Sequence, residues 1–239
     1  MKQALIVWGG WEGHQPEQVA GIYREILEVL GFRVEVSDTL ESYADAERLL
    51  EYDLIVPNWT MGKISKKYVL NVSRAVQAGV GLAGTHGGMC DSFRYNVDWQ
   101  FMTGGNWVAH PGNDGVEYTV RIRQNSPLLR GIGDFRVKSE QYYLHYDPAV
   151  EIHATTRFPV VPGPHSPNGP VDMPVVWTKR WGEGRVFYCS LGHQANIVDM
   201  PPVREILRRG FAWAAEGKAL APPDAVTRAM DYTGMGDSE

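Results

Sequence analysis

The chain has 239 residues, of which 44% are hydrophobic and 21% charged, a composition typical of a globular protein with a sizeable core. Its formal net charge of −5 provides no basic surface of the kind that attracts nucleic acids or anionic membranes. It has only two cysteines, Cys90 and Cys189, no visible signal peptide and no apolar run as long as a membrane span. We therefore expect a cytoplasmic protein with no nucleic-acid or membrane partner.

The first 90 residues alternate apolar runs with amphipathic segments. This alternation predicts a parallel sheet whose strands are joined by right-handed helical crossovers. A run that is apolar throughout, such as Ala4–Trp8, is typical of a strand buried on both faces. The predicted strands are Ala4–Trp8, Phe32–Val36 and one within Leu49–Val56, and the predicted helices run from Pro16 to Leu30 and from Ile64 to Ala78.

The most informative short stretch is the glycine-rich segment 79–88, GVGLAGTHGG. It predicts a buried strand ending in a tight turn with His86 at the tip. The spacing G-x-H-x-G is that of a nucleophile elbow, with histidine where serine or cysteine would act. Because parallel strands end at a common sheet edge, His14, which follows the first strand, is expected near His86. The alternative is a tight turn with an incidental histidine.

The rest of the chain is predicted to be less regular. No periodicity is visible from Asp91 to Asn113, which predicts a long irregular segment of functional importance. Glu140 is predicted to lie on a strand together with Tyr142 and Tyr143. The other predicted elements are the strands Glu117–Arg123, Phe135–Val137 and Val150–Thr155, a hairpin of Pro174–Lys179 and Gly184–Ser190, and a helix Val203–Ala215 followed by a polar tail from Ala219.

Aromatic residues in glycine-rich segments point to a carbohydrate ligand. Trp11 and Trp107 lie in such segments, and indole rings suit the apolar faces of sugars. The alternative is that these rings hold the loops onto the core.

Four segments, in this order, resemble the ThuA-like, or trehalose-utilisation, family. They are Leu82–Gly88 around His86, the stretch GGNWVAHP at 104–111, the stretch SEQY at 139–142, and the block from Pro174 to His193 closed by Ala212–Trp213–Ala214. The resemblance runs from Ala4 to Gly217. It implies one α/β domain over residues 1–218 and a polar C-terminal tail over residues 219–239.

The resemblance implies a fold similar to class I glutamine amidotransferases. This is a doubly wound, flavodoxin-like three-layer fold with a mostly parallel sheet flanked by helices, here with an antiparallel hairpin extension. In that superfamily the elbow carries a cysteine, followed later by a histidine–glutamate pair. Here His86 occupies the elbow, and His193 is followed by Gln194 and Ala195 rather than by a glutamate. Amidotransferase activity is therefore excluded for want of a nucleophile.

The family's association with disaccharide metabolism, beside dehydrogenases that oxidise a sugar to its 3-keto form, implies a keto-sugar substrate. Removal of the acidic C2 hydrogen would give an enediolate that isomerises or expels the group at C1. The expected catalytic residues are His86, Glu140 and His193, with Glu140 or His193 as acid or base. The expected substrate-binding residues are Trp11, His14, Asp91, Trp107, His110, Tyr142 and His145.

Three questions stay open at this point. The candidate ligands His14, His86, His110, Glu140 and His193 suit a divalent metal such as zinc, manganese or iron, although they have no compact metal-binding spacing. Glu140 has the alternative of a structural carboxylate paired with an arginine. The whole pocket has the alternative of a non-catalytic carbohydrate-binding or regulatory module. The expected partners are a small sugar and a functionally linked sugar-oxidising dehydrogenase, with a homo-oligomer as a further candidate.

Overall fold

The computed structural model describes residues 1–230, and its central element is a mixed sheet. One half is parallel and is built by crossovers through helices. Its strands are β1 (Gln3–Gly10), β2 (Arg33–Ser37), β3 (Leu54–Thr60), β4 (Gly81–Thr85) and β11 (Gly184–Cys189). The helices in the first crossovers are α1 (Pro16–Val29), α2 (Ala46–Leu49) and α3 (Lys66–Gln77).

The other half of the sheet is antiparallel and continues from β11. Its strands are β10 (Val171–Trp181), β9 (Glu151–Phe158), β6 (Val116–Ile122) and β7 (Phe135–Ser139). Within residues 1–230 the nine strands follow the order β2-β1-β3-β4-β11-β10-β9-β6-β7, and β5 (Gly105–Ala109) pairs with β8 (Tyr143–Tyr146) in a smaller sheet. The remaining helices are α4 (His86–Cys90), α5 (Val97–Thr103), α6 (Ala195–Val198), α7 (Pro201–Leu220) and α8 (Ala225–Arg228).

The parallel strands are buried on both faces, which explains their continuous apolar sequence. In β1, Ile6 packs with α1 and α7 in one core cluster, whereas Leu5 and Val7 pack with α3 in the other. Side chains alternate across a strand, so a helix layer on each face requires apolar residues at every position. The three-layer α/β architecture expected from the sequence is confirmed.

Two expectations for the irregular regions are wrong. The segment from Asp91 to Asn113 contains helix α5 and strand β5. The helix has only seven residues, which is too few to show a hydrophobic period. Its ends nevertheless carry sequence signals, since Asn96 caps it and Gly104 ends it in a left-handed conformation. Glu140 lies in the link between β7 and β8 rather than on a strand.

The C-terminal region is more helical than expected. Helix α7 continues to Leu220 and α8 follows, so regular structure extends past the expected boundary at residue 218. The end of the expected tail, residues 231–239, lies outside the described residues. In residues 1–230 no helix combines the length and apolarity that crossing a bilayer requires.

Candidate functional site

The site lies where four neighbouring parallel strands end. His14 follows β1, Thr60 is the last residue of β3, His86 follows β4 and His193 follows β11. Because these strands are parallel, their carboxyl ends share one edge of the sheet, as ligand sites in open α/β sheets do. The expected meeting of His14 and His86 is confirmed by a ring-centroid distance of 4.8 Å.

The turn after β4 presents His86 to this edge. The residue has a φ of 46°, a left-handed conformation that costs free energy for a side chain other than glycine. A Cβ atom on the next residue, Gly87, would lie 2.7 Å from Cε1 of His14 and 2.9 Å from Cγ2 of Thr60. The glycine therefore allows the His14 ring to pack against the turn. The elbow predicted from the sequence is present, with an imidazole at its tip.

The two innermost imidazoles are each held through one ring nitrogen. Nδ1 of His86 lies 2.8 Å from the carbonyl oxygen of Ser190, which is the residue after β11. Nδ1 of His14 lies 2.8 Å from Oγ1 of Thr60. In both rings the Nε2 atom is left for other contacts.

Glu140 reaches the same edge from the far side of the sheet. It follows β7, which runs in the same direction as β11 because four antiparallel pairings separate the two strands. The Tyr118 hydroxyl donates to the Glu140 carbonyl over 2.8 Å and fixes this link. The carboxylate oxygen Oε2 lies 3.0 Å from Nε2 of His86 and 3.4 Å from Nδ1 of His193. Its partners are imidazoles, so the alternative of a structural carboxylate paired with an arginine is not supported.

A third imidazole contact is made on the more open side. Nε2 of His110 lies 3.6 Å from Oε1 of Glu140, and the His110 side chain is 27% exposed. Glu140 thus stands among three histidines, two of them buried and one at the rim.

Burial controls the ionisation of this cluster. It lowers the pKa of His14 to about 2, and it also lowers the pKa of His86, because a buried imidazolium loses its hydration. Burial raises the pKa of Glu140, but the adjacent imidazoles of His193 and His86 outweigh it and hold that pKa below its ordinary value. At neutral pH the cluster therefore combines an ionised Glu140 carboxylate with neutral His14 and His86 rings.

The cluster forms the floor of a cleft of about 420 Å³. Trp11 stands at its lip with 45% of its surface exposed, and Tyr142 stacks on His86 at a centroid distance of 3.9 Å. These rings give the cleft an apolar lining around a polar floor. The lining residues are Trp11, Gly13, His14, Met61, Asp91, Arg94, His110, Asn113, Asp114, Glu140, Tyr142, His193 and Gln194.

A charged pair forms one wall of the cleft. The Arg94 guanidinium donates to both oxygens of Asp91, over 2.5 and 2.8 Å. It also stacks on the Trp107 ring at 4.5 Å from the centroid. Trp107 therefore packs against the Arg94 guanidinium and is not itself among the residues that line the cleft.

His145, like Trp107, lies outside the lining of the cleft. It lies on β8 with its side chain exposed, beside Tyr143, and is not among the cleft-lining residues. Its neighbour Leu144 points into the core instead, as alternation along a strand requires. A contact between His145 and a ligand stays a prediction that the lining of this cleft does not support.

Thr60, Ser190 and Arg94 had no binding or catalytic role in the sequence-based hypothesis. Ser190 carries a recognisable signal, since it ends the strand predicted at Gly184–Ser190, whereas Thr60 lies beyond the strand predicted within Leu49–Val56. Cys90 and Cys189 are buried, and burial raises the pKa of each thiol, so neither is poised as a nucleophile.

Comparison with known proteins identifies the fold and the family of the chain. No curated protein matches the chain. A ThuA-like protein from Parabacteroides merdae is 19% identical, with a TM-score of 0.71 over 91% of this chain and 91% of that chain. A ThuA-like protein from Bacteroides uniformis is 18% identical, with a TM-score of 0.69 over 89% of this chain and 91% of that chain.

A more distant similarity is to the β-galactosidase of Bacillus circulans sp. alkalophilus. It is 14% identical, with a TM-score of 0.59 over 93% of this chain and 32% of that chain. At these identities the solved structures show a common fold. The family model for ThuA, described as trehalose utilisation, matches residues 3–214. The chain therefore belongs to the ThuA (trehalose utilisation) family and has its class I glutamine amidotransferase-like α/β fold.

Proposed function

We propose that the protein is an enzyme of disaccharide utilisation that acts on a 3-keto sugar by proton transfer at C2. The observation that carries the proposal is the convergence of His86, His110 and His193 on Glu140 at the floor of an aromatic-lipped cleft. Membership of the trehalose-utilisation family supports a sugar substrate.

The proposed reaction begins at C2. A base takes the C2 proton, and the electron pair of the C–H bond moves onto the C3 oxygen to form an enediolate. When that pair re-forms the C3 carbonyl, the electrons of the C2–C3 double bond form a C1–C2 double bond, the bond between C1 and its oxygen breaks, and the departing oxygen takes up a proton. Alternatively, C3 is protonated while the C2 hydroxyl loses its proton, which gives the isomeric 2-keto sugar. Neither route needs an oxidant or reductant.

We assign proton transfer to His110. Glu140 is a poor base because its pKa is held below the ordinary value, whereas a useful base has a pKa near the working pH. His110 lies at the rim, where a ligand in the cleft can reach it, and its Nε2 lies 3.6 Å from Oε1 of Glu140. Glu140 then orients His86, His110 and His193 through its two carboxylate oxygens.

The wall of the cleft is suited to hold the sugar. Asp91 and Arg94 offer acceptor and donor atoms side by side, which matches two neighbouring sugar hydroxyls. Trp11 offers an exposed ring for the apolar face of a pyranose.

Exchange of the C2 hydrogen tests the proposal. The protein is incubated with 3-keto-trehalose in heavy water, and deuterium at C2 and the products are followed by NMR. We expect exchange and product formation, with a loss of about 100-fold or more in the His110→Ala variant. Unoxidised trehalose, whose C2 hydrogen is not acidic, is the control. Saturable binding without exchange or product would overturn the proposal in favour of a carbohydrate-binding module.

A further inference from the structure

We propose that His14, His86, Glu140 and His193 form a binding site for one divalent transition-metal ion. The inference concerns the floor of the cleft alone. It depends on the geometry of these four side chains and not on the sugar chemistry proposed above, so either proposal can fail without the other.

The four side chains offer a compact donor set. One nitrogen from each histidine and one carboxylate oxygen all lie within 4.8 Å of one another. The three ring centroids are 4.8, 5.1 and 5.6 Å apart. Since metal–nitrogen and metal–oxygen bonds are about 2.0–2.2 Å long, donors around one ion lie roughly 3–4 Å apart. The observed separations, up to 4.8 Å, are therefore somewhat longer than those around a bound ion, and metal binding would draw the donors together.

The hydrogen bonds of His86 place two acceptor atoms opposite each other. The Ser190 carbonyl can only accept, so Nδ1 of His86 carries the hydrogen and Nε2 of the neutral ring is a lone pair. That lone pair faces Oε2 of Glu140 at 3.0 Å, and a carboxylate oxygen is also an acceptor. Two acceptors at this distance require a cation or an additional proton between them.

A single additional proton does not satisfy the whole cluster. Nδ1 of His193 faces the same Oε2 atom at 3.4 Å, and within the described residues it has no hydrogen-bond partner. His193 is only 6% exposed, so an unpartnered ring nitrogen there is costly. A proton on His86 leaves His193 unsatisfied, whereas one metal ion accepts lone pairs from both rings and from the carboxylate together.

The outer contacts of two rings are those of metal ligands. Histidines that bind a metal through one nitrogen usually hold the other to a carbonyl, carboxylate or hydroxyl group, which sets the ring orientation. The Ser190 carbonyl does this for His86, and the Thr60 hydroxyl does it for His14.

The donor chemistry selects the class of ion. Three imidazoles with one carboxylate suit zinc, iron(II), cobalt(II) or manganese(II), and they do not suit calcium or magnesium, which prefer oxygen. The set faces the cleft, so a small molecule in the cleft would have access to the ion. Such an ion would supply positive charge beside the ionised Glu140, where an enediolate would otherwise be repelled.

Cobalt(II) binding tests the site without relying on activity. Protein freed of metal by a chelator is titrated with cobalt(II), and visible absorption and calorimetry are recorded. We expect one ion per chain, an imidazole–cobalt spectrum, and an increase in the melting temperature at saturation. Zinc should displace the cobalt and abolish the spectrum.

Matched variants locate the ion. Glu140→Gln and His193→Asn should each lower the affinity strongly, and His153→Gln, which changes a buried histidine outside the cluster, should bind cobalt as the wild type does. If Glu140→Gln fails to fold, His193→Asn and the shift in the wild-type melting temperature still test the metal site.

Absence of binding at millimolar cobalt, or equal binding by wild type and His193→Asn, would overturn the site and favour a protonated His86. Cobalt binding with no turnover of a 3-keto sugar would keep the site and remove the proposed reaction. Turnover of the 3-keto sugar by protein that binds no metal would support the proposed reaction and overturn the metal site.

Discussion

The Oγ1 atom of Thr60 lies 2.8 Å from Nδ1 of His14. The last residue of β3 therefore holds a side chain in the loop that follows β1, the adjacent parallel strand. Replacement of Thr60 by valine keeps the shape of the side chain and removes the hydroxyl. We expect cobalt affinity to fall about 10- to 100-fold, as for other lost outer contacts of a ligand, with a small change in stability.

Thr178→Val is the control for Thr60→Val. Its hydroxyl lies 2.9 Å from Nε2 of His153, a buried contact of the same kind outside the cluster. Metal titration of both variants separates a positioning role of Thr60 from general loss of a buried hydrogen bond. Equal affinities in the two variants would contradict the role assigned to Thr60.

Gly87→Ala is expected to damage the site. The added methyl group would lie 2.7 Å from Cε1 of His14, and backbone and rings must shift to accept it. We expect overpacking to cost about 1–3 kcal/mol of unfolding free energy and to weaken cobalt binding. Denaturant unfolding and metal titration measure the two effects.

Gly21→Ala is the contrasting variant. Gly21 lies within helix α1, and a Cβ there meets nothing within 4 Å. Alanine should therefore raise the unfolding free energy by about 0.5–1 kcal/mol and leave the site unchanged. If both variants lost stability alike, close packing at Gly87 would not be the cause.

Arg94→Lys is expected to affect substrate binding more than turnover. Lysine cannot reproduce the two parallel hydrogen bonds to Asp91 or the planar stack on Trp107. Loss of one charged hydrogen bond of about 1.5–3 kcal/mol corresponds to a rise in KM of about 10- to 100-fold. Steady-state kinetics on a 3-keto disaccharide measure this, with Arg157→Lys at an exposed ion pair as the control. A fall in kcat with an unchanged KM would contradict a binding role.

Stability should decrease on acidification in part through His153. The Ser126 and Thr178 hydroxyls hold its two ring nitrogens, and burial lowers its pKa below the ordinary value. The unfolded chain then binds a proton below about pH 6.5 that the folded chain does not, so this contribution is present above that pH and lost below it.

The His153→Gln variant measures that contribution. Unfolding free energies of metal-free protein are compared from pH 7.5 to pH 5. We expect the wild type to have the steeper dependence below about pH 6.5, by at most about 1.4 kcal/mol per pH unit. Identical slopes in the two proteins would show that His153 does not titrate differently on unfolding.

The parallel half of the fold and the position of His86 were predictable, because continuous apolar strands and helical periodicity are local signals. The sequence could not predict how Glu140 joins the histidines. That contact depends on four successive antiparallel pairings, which no local pattern encodes. Helix α5 was too short to show a period. The exposure of His145 could have been predicted from alternation with Leu144, had the register of β8 been known.

The separation of the site residues along the chain has a consequence for folding. His14 and His193 are 179 positions apart in the sequence, and Glu140 follows the last strand in the order of the sheet. Such contacts have a high contact order and form only after long loops have closed. A nascent or partly unfolded chain therefore does not contain the assembled site. Any molecule that binds there recognises only the folded domain, and its binding raises the free energy of unfolding of that domain.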